Sequence, residues 1–308
     1  MVTIADGSDY GGSIRIPASC CGVFGYKPSS GRVPLYSNWA FDIYDHAGPL
    51  SRTVADGALM LNVMSGIHPL DPLSQRQSVK IPADLPDIRG FKIAVSPNLG
   101  YFEVDRDVAA NFLNAVEAFR ELGCSVETVE LPWTSATLGA WMDHSCGAFA
   151  TWILPLLGLW RYELSDYVLE IARRGEKITM TDIYRGYQVA SGMYGSLGPI
   201  LEKYDLLLCP TTALPAVPAD FSFVKQSLEI NGKPVDPYIG WCMTYPFNML
   251  GMLPVASVPS GFASNGVPTG LQIVGRSFDD IPVFQAAAAY ESIRPWLNTM
   301  EARPHLLT

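Results

Sequence analysis

Four short apolar segments constrain the fold of this 308-residue chain more than any other feature. They lie at residues 91–95, 205–209, 254–258 and 271–274, and Gly or Pro stands at or near the ends of each. None shows the alternation of apolar and polar residues that marks a strand with one solvated face. Such runs are typical of strands in a sheet that is covered on both faces.

Helical patterns alternate with these segments. In the clearest one, apolar residues recur three or four positions apart, at Val108, Phe112, Val116 and Phe119. Asp105 is suited to cap the start of this helix and Gly123 to end it. Two further helices are predicted over residues 54–64 and 281–294, and the acidic pair before residue 281 is interpreted as the N-cap of the latter.

The order strand, helix, strand over residues 92–131 predicts a βαβ-like unit. The whole pattern predicts an α/β fold with a mixed, mainly parallel central sheet and helices on both faces. Residues 134–193 are expected to be mostly helical, and no linker divides the chain. We therefore expect one domain over residues 1–308.

Composition excludes several classes of protein. Hydrophobic residues make up 48% and charged residues 17%, as in a globular enzyme, and the formal net charge of -9 argues against a nucleic-acid partner. The first residues lack the pattern of a signal peptide. The longest apolar stretch, around residues 152–160, is interrupted by Pro155 and is too short to span a bilayer, so no membrane span is expected. The six cysteines show no metal-site spacing, and we expect reduced thiols, no bound metal and a cytoplasmic location.

The segment Gly11-Gly12-Ser13 is the first candidate for chemistry. Two glycines before a serine allow a sharp turn in which successive backbone N–H groups converge beside a hydroxyl. Acyl transfer needs such a nucleophile and such donors for the developing oxyanion. These three residues alone are a weak signal, and they do not fit the G-x-S-x-G elbow.

The longer string GSDYGGSIRIPASCCGVFGYKPSSGRVP, residues 7–34, resembles the signature of the amidase-signature family. The resemblance continues at residues 48–66, 204–216, 245–262 and 266–276, and is weakest in the helical middle section. It implies hydrolysis of a linear carboxylic amide by a Ser–cis-Ser–Lys mechanism through an acyl-enzyme, with no cofactor. Ser13 matches the nucleophile.

The resemblance also assigns supporting roles. It implies an oxyanion hole built from the backbone N–H groups of Tyr10, Gly11, Gly12 and Ser13. Asp9 and Arg15 match positions of polar support for the loop, where an ion pair without a direct catalytic role is an equal alternative. Gln272 and Asn248 lie in family motifs, and either orient neighbouring loops or contact the substrate.

The lysine and the cis-serine of the family belong to motifs upstream of the double glycine, where this chain has twelve residues. We therefore expect the sequence to be truncated at its N-terminus relative to the family, with part of the sheet missing and apolar surface exposed. An inactive amidase fragment or pseudoenzyme is the alternative. Lys27 matches a structural lysine, and no spacing supports a triad with a histidine; the histidines are His46, His68, His144 and His305.

The substrate is less constrained than the reaction. An aromatic side chain is more often part of the core than of a pocket, but several are candidates for a binding pocket: Trp39, Phe41, Trp141, Trp152 and Trp241. This richness favours an apolar or aryl acyl amide as the small-molecule substrate. The tRNA-dependent amidotransferase branch is less favoured, and a homodimer is expected from the resemblance only.

Overall fold

A computed structural model describes residues 2–36 and 40–297 of the chain. Its strands are β1 Ile4–Ser8, β2 Phe24–Lys27, β3 Ala47–Ser51, β4 Lys92–Val95, β5 Ser125–Thr128, β6 Leu206–Pro210, β7 Leu228–Ile230, β8 Lys233–Val235, β9 Val255–Phe262 and β10 Pro268–Val274. Its helices are α1 Arg15–Cys21, α2 Val54–Met64, α3 Arg106–Glu121, α4 Ala136–Ile153, α5 Leu157–Trp160, α6 Asp166–Gly175, α7 Met180–Lys203, α8 Pro246–Met249 and α9 Ile281–Ile293.

The central sheet has eight strands in the order β1-β3-β2-β9-β10-β6-β4-β5. The predicted α/β fold with a mixed sheet is confirmed, and so is the βαβ unit, because β4 and β5 pair in parallel on either side of α3. The expectation that parallel pairs dominate is wrong. Only β4–β5 and β4–β6 are parallel among these described strands, and the neighbours from β1 through β10 to β6 are antiparallel. Uninterrupted apolar runs indicate two covered faces but not strand direction.

The predicted helices are confirmed with small changes at their ends. The Asp105 carboxylate accepts the backbone N–H of Asp107 and so caps α3, and Gly123 follows that helix with a φ of 82°. Asp280 stands at the N-cap of α9 but makes no capping hydrogen bond. Its buried carboxylate instead accepts hydrogen bonds from Arg32 at 3.0 Å and Tyr26 at 2.7 Å, so the predicted N-cap position is confirmed but its side chain does not cap the helix.

Helices cover both faces of the sheet, as predicted. One apolar core includes residues of α4 and α7 and the sheet residues Leu207, Val255 and Val274. The other includes residues of α2, α3 and α9 and the alternate sheet residues Leu208, Ala256 and Ile273. The middle section is helical, as expected, from α4 through α7. Within the described residues, no helix is both long and apolar enough to cross a membrane.

Candidate active site

The turn from β1 into α1 carries the double glycine and Ser13. β1 ends at Ser8 and α1 begins at Arg15, so the turn is six residues long. Its residues are buried except Ser13, whose side chain is exposed. Among the described residues, the Ser13 hydroxyl has no hydrogen-bond partner. The fold therefore presents one free serine hydroxyl on an otherwise buried turn.

The two glycines are required by the close packing of the turn. Gly12 has a φ of 128°, and a Cβ atom there would lie 2.1 Å from Oγ1 of Thr244. A Cβ atom on Gly11 would lie 2.5 Å from Cζ2 of Trp141. Real side chains do not approach so closely, and a φ in this range strains any residue with a Cβ atom. The predicted need for glycine at both positions agrees with this geometry.

Three consecutive N–H groups of the turn are free. Within the part of the chain that the structure describes, the backbone N–H groups of Gly11, Gly12 and Ser13 donate to no acceptor. The next two N–H groups, of Ile14 and Arg15, both point to Oδ2 of Asp9, at 3.3 and 3.4 Å. Buried N–H groups are almost always paired in folded proteins. A run of unpaired donors beside a free hydroxyl can bind a negatively charged oxygen.

A buried ion pair fixes the two ends of the turn. Arg15 donates from Nε to Oδ2 of Asp9 at 3.0 Å and from Nη2 to Oδ1 at 2.9 Å, and both side chains are fully buried. Burial alone raises the pKa of the Asp9 carboxyl. The Arg15 charge and hydrogen bonds, with that of Asn248, outweigh burial and hold this pKa far below its ordinary value. Asp9 is therefore ionised.

The remaining donors of Arg15 bind two side chains and a carbonyl from distant parts of the sequence. Nη1 donates to Gln272 Oε1 at 2.8 Å and to the Thr244 carbonyl oxygen at 2.9 Å. Nη2 donates to Asn248 Oδ1 at 2.7 Å. Gln272 and Asn248 are themselves fully buried. Both amides thus bind Arg15 from within the protein, and their two alternative roles stay predictions.

Lys27 occupies a second buried polar site, next to the first. Its Nζ donates to the carbonyl oxygens of Leu253 at 2.7 Å and Pro28 at 3.1 Å, and lies 3.3 Å from Nε2 of His46. Burial, and after it the charge of Arg15, holds the pKa of Lys27 well below its ordinary value. The interpretation of Lys27 as structural is supported, because its amine makes no contact with Ser13.

None of the three described histidines contacts Ser13. His46 is buried, and its Nδ1 lies 2.9 Å from the Tyr44 carbonyl oxygen. His68 is exposed. His144 lies 2.9 Å from the Asp42 carboxylate, which also accepts the Tyr10 hydroxyl at 2.7 Å. His305 lies outside the described residues. The described part of the chain therefore forms no Ser-His-Asp triad at Ser13.

The aromatic candidates divide between core and surface. Trp141 and Trp241 belong to the core on the α4 face, whereas Phe41 and Trp152 are exposed. Trp141 nevertheless contacts the loop, since its Nε1 donates to the Tyr10 carbonyl oxygen at 3.3 Å. Trp39 lies outside the described residues.

An apolar groove of about 760 Å³ lies elsewhere, between α2, residues 80–87 and α9. It is on the sheet face opposite to α4 and Trp141. Leu59 of α2 lines this groove and is exposed. Val63, one helical turn later, is also an exposed apolar side chain. Ser13 and its turn do not line this groove, so the apolar surface that truncation is expected to expose stays a prediction.

Sequence reasoning missed Thr244, which contacts both the turn and the first residue of α1. Its Oγ1 donates to the Gly11 carbonyl oxygen at 2.6 Å, and its carbonyl oxygen accepts from Arg15. The one signal in the sequence was its position directly before the segment 245–262 that resembles the family.

Comparison with known proteins adds to this geometry. The model of the Amidase family matches residues 1–284. An acylamidase of Rhodococcus erythropolis is 36% identical over 310 residues, which cover 97% of this chain and 63% of that protein. One of the subunits of a glutamyl-tRNA(Gln) amidotransferase from Oceanobacillus iheyensis is 32% identical, over 92% of this chain and 62% of that protein.

A solved structure agrees with these relatives. The crystal structure of a bacterial aryl acylamidase of the amidase-signature enzymes superposes with a TM-score of 0.88 at 33% identity, over 98% of this chain and 65% of that one. The chain spans about 63% of the length of the curated relatives that it matches. The match in sequence and fold is extensive, and the chain belongs to the amidase family, that of the amidase-signature enzymes.

Proposed function

We propose that the protein hydrolyses linear carboxylic amides through an acyl-enzyme on Ser13. The observation that carries this proposal is the exposed Ser13 hydroxyl beside the unpaired N–H groups of Gly11, Gly12 and Ser13 itself. The N–H of Tyr10 completes the proposed oxyanion hole. Family membership and the acylamidase relative support amide bonds as the target.

The proposed reaction has two steps. The Ser13 oxygen attacks the amide carbonyl carbon, its proton passes to a base, and the carbonyl oxygen becomes an oxyanion that the turn stabilises. Collapse of this intermediate transfers a proton to the leaving amine and leaves an ester on Ser13, which water then hydrolyses. Each oxyanion donor is expected to lower the barrier by about 3 kcal/mol.

The Ser13 hydroxyl needs a proton acceptor before it can attack an amide. No amine or imidazole among residues 2–36 and 40–297 hydrogen-bonds to Ser13, and Lys27 is buried among carbonyl oxygens. We infer that the base comes from outside the described residues, as the family's lysine and cis-serine would. The isolated chain should then acylate slowly. An inactive fragment or pseudoenzyme remains the alternative.

The substrate that we propose is a small apolar or aryl acyl amide. The relatives described as acylamidases support it, and so do the aromatic rings around the turn, where Tyr10 lies 5.4 Å from Phe149 between ring centroids. The amidotransferase relative is the second candidate, but nothing in the site favours it. A cytoplasmic location and a homodimer complete the proposal, the latter from the resemblance alone.

The test of this proposal is labelling with a fluorophosphonate probe followed by peptide mapping. Slow labelling at Ser13 is expected, with complete loss in Ser13→Ala. Ser264→Ala is the matched control, because Ser264 is also an exposed serine in a loop. Equal labelling of the wild-type chain and Ser13→Ala would contradict the assignment of Ser13.

A further inference from the structure

The direction of each N–H group in the turn is set by the carbonyl of the preceding residue. A peptide unit is planar and trans, so its C=O and its N–H point in opposite directions. Holding the Gly11 carbonyl therefore aims the Gly12 N–H. In the same way, holding the Tyr10 carbonyl aims the Gly11 N–H, and holding the Gly12 carbonyl aims that of Ser13.

Each of these carbonyls is held by a donor. Trp141 Nε1 donates to the Tyr10 carbonyl oxygen at 3.3 Å, and the Ile16 N–H donates to that of Gly12 at 2.7 Å. Asn248 Nδ2 donates to the carbonyl oxygen of Asp9 at 2.9 Å. Thr244 Oγ1 donates to that of Gly11 at 2.6 Å. The four peptide planes that run into Ser13 are thus fixed one by one.

Thr244 is the residue best placed to act as a rigid anchor. It is fully buried, and its own carbonyl oxygen accepts from Arg15 Nη1 at 2.9 Å, which ties it to the Asp9–Arg15 pair. Its hydroxyl also lies against Gly12, in the space that a side chain at that position would fill. Thr244 therefore sets both the plane of the Gly11–Gly12 peptide and the path of the chain through Gly12.

We propose that Thr244 is a positioning residue of the oxyanion hole, which aims the Gly12 N–H at the developing oxyanion without touching the substrate. This inference rests on the proposed function of Ser13. Oxyanion donors act only when they are preorganised toward the position that the oxyanion will occupy. Loss of the Thr244 hydroxyl should thus slow acylation and leave substrate binding unchanged.

The experiment compares Thr244→Val with Thr244→Ser in the 308-residue chain. The substrate is p-nitrophenyl butyrate, whose good leaving group reduces the need for a base. For Thr244→Val we expect a fall in the acylation rate constant of about tenfold to hundredfold, somewhat less than for complete loss of an oxyanion donor. The half-saturating ester concentration should not change. Thr244→Ser keeps the hydroxyl and should retain the rate within about threefold, since misaiming rather than lost volume causes the defect.

Thr212→Val is the matched control. Thr212 is also a buried threonine, but its Oγ1 has no hydrogen-bond partner among the described residues. The rate of this variant should equal that of the wild-type chain. A rate for Thr244→Val that also equals the wild type, while Ser13→Ala abolishes acylation, would overturn the role of Thr244 alone. Equal rates for the wild type and Ser13→Ala would instead overturn the proposed function.

A crystal structure of Thr244→Val decides the inference independently of activity. A valine methyl group cannot remain 2.6 Å from the Gly11 carbonyl oxygen, the distance that Oγ1 holds. We expect the Gly11–Gly12 peptide to rotate and the φ of Gly12 to leave 128°. An unchanged peptide plane in that structure would overturn the inference even if the chain did not react with the ester.

Discussion

Asp9 and Arg15 lie on opposite sides of the Ser13 turn and close it with two parallel hydrogen bonds of 3.0 and 2.9 Å. Neither side chain is exposed to solvent. Bidentate pairs of this kind fix orientation as well as distance. The turn that carries the free N–H groups is thus closed by two charged side chains that are fully buried.

Arg15→Met should strongly destabilise the fold. The change leaves the Asp9 carboxylate buried without its cation, and breaking a buried pair in this way costs about 3–5 kcal/mol. The measurement is the free energy of unfolding in urea. Arg89→Ala is the control, because the Arg89–Asp87 pair is largely exposed, and exposed pairs contribute about 0–1 kcal/mol. Similar losses in the two variants would contradict a structural role of the buried pair.

His46 should make stability depend on pH. Burial, and after it Lys27, lower the pKa of His46 from 6.5 to about 3. Between these two pH values the unfolded chain therefore binds a proton at His46 that the folded chain does not bind. The free energy of unfolding falls as pH falls from about 6.5 toward 3, by up to about 1.4 kcal/mol per pH unit. His46→Gln should remove this slope.

The slope is measured by urea unfolding between pH 7 and pH 4.5, roughly the upper part of that window. Ionisable groups near His46 are Lys27, Asp9 and Arg15, and both proteins contain all three. Burial raises the pKa of Asp45 to about 6, which gives a slope of opposite sign that cancels in the difference. Parallel curves for the wild type and His46→Gln would show that folding does not lower the pKa of His46.

Gly12→Ala should cost more stability than Gly66→Ala. Both glycines have a φ that strains any residue with a Cβ atom, 128° at Gly12 and 136° at Gly66. A Cβ atom on Gly66, however, would meet nothing within 4 Å. Backbone strain alone is expected to cost about 1–3 kcal/mol in both variants. Overlap with Thr244 should add about 1–3 kcal/mol in Gly12→Ala and abolish labelling of Ser13. The free energies of unfolding give the comparison, and equal losses would exclude close packing at Gly12.

Local patterns predicted much of this fold. The predicted residues 54–64 are those of α2, and Asp105 caps α3 as its position before an apolar period indicates. Strand direction was less accessible, because buried strands look alike whether their neighbours are parallel or antiparallel. Asp280 shows the same limit, since its carboxylate binds Arg32, 248 residues away, rather than its own helix.

The candidate site was predictable only in its first half. Asp9, the double glycine, Ser13 and Arg15 are contiguous, and the resemblance marked them together. Thr244 meets Gly11 across 233 residues of sequence, and a lone threonine shows no pattern that would indicate such a contact. Gln272 and Asn248 could be named as candidates, but their burial behind the turn depends on the packing of α1 against β9 and β10.

The most direct test of the account is the mass of the chain after reaction with p-nitrophenyl butyrate, quenched in acid and mapped by proteolysis. We expect one butyryl group on the peptide that contains Ser13, accumulating slowly, and none in Ser13→Ala. A butyryl group on another residue, or equal acylation of the wild type and Ser13→Ala, would contradict Ser13 as the acylated nucleophile.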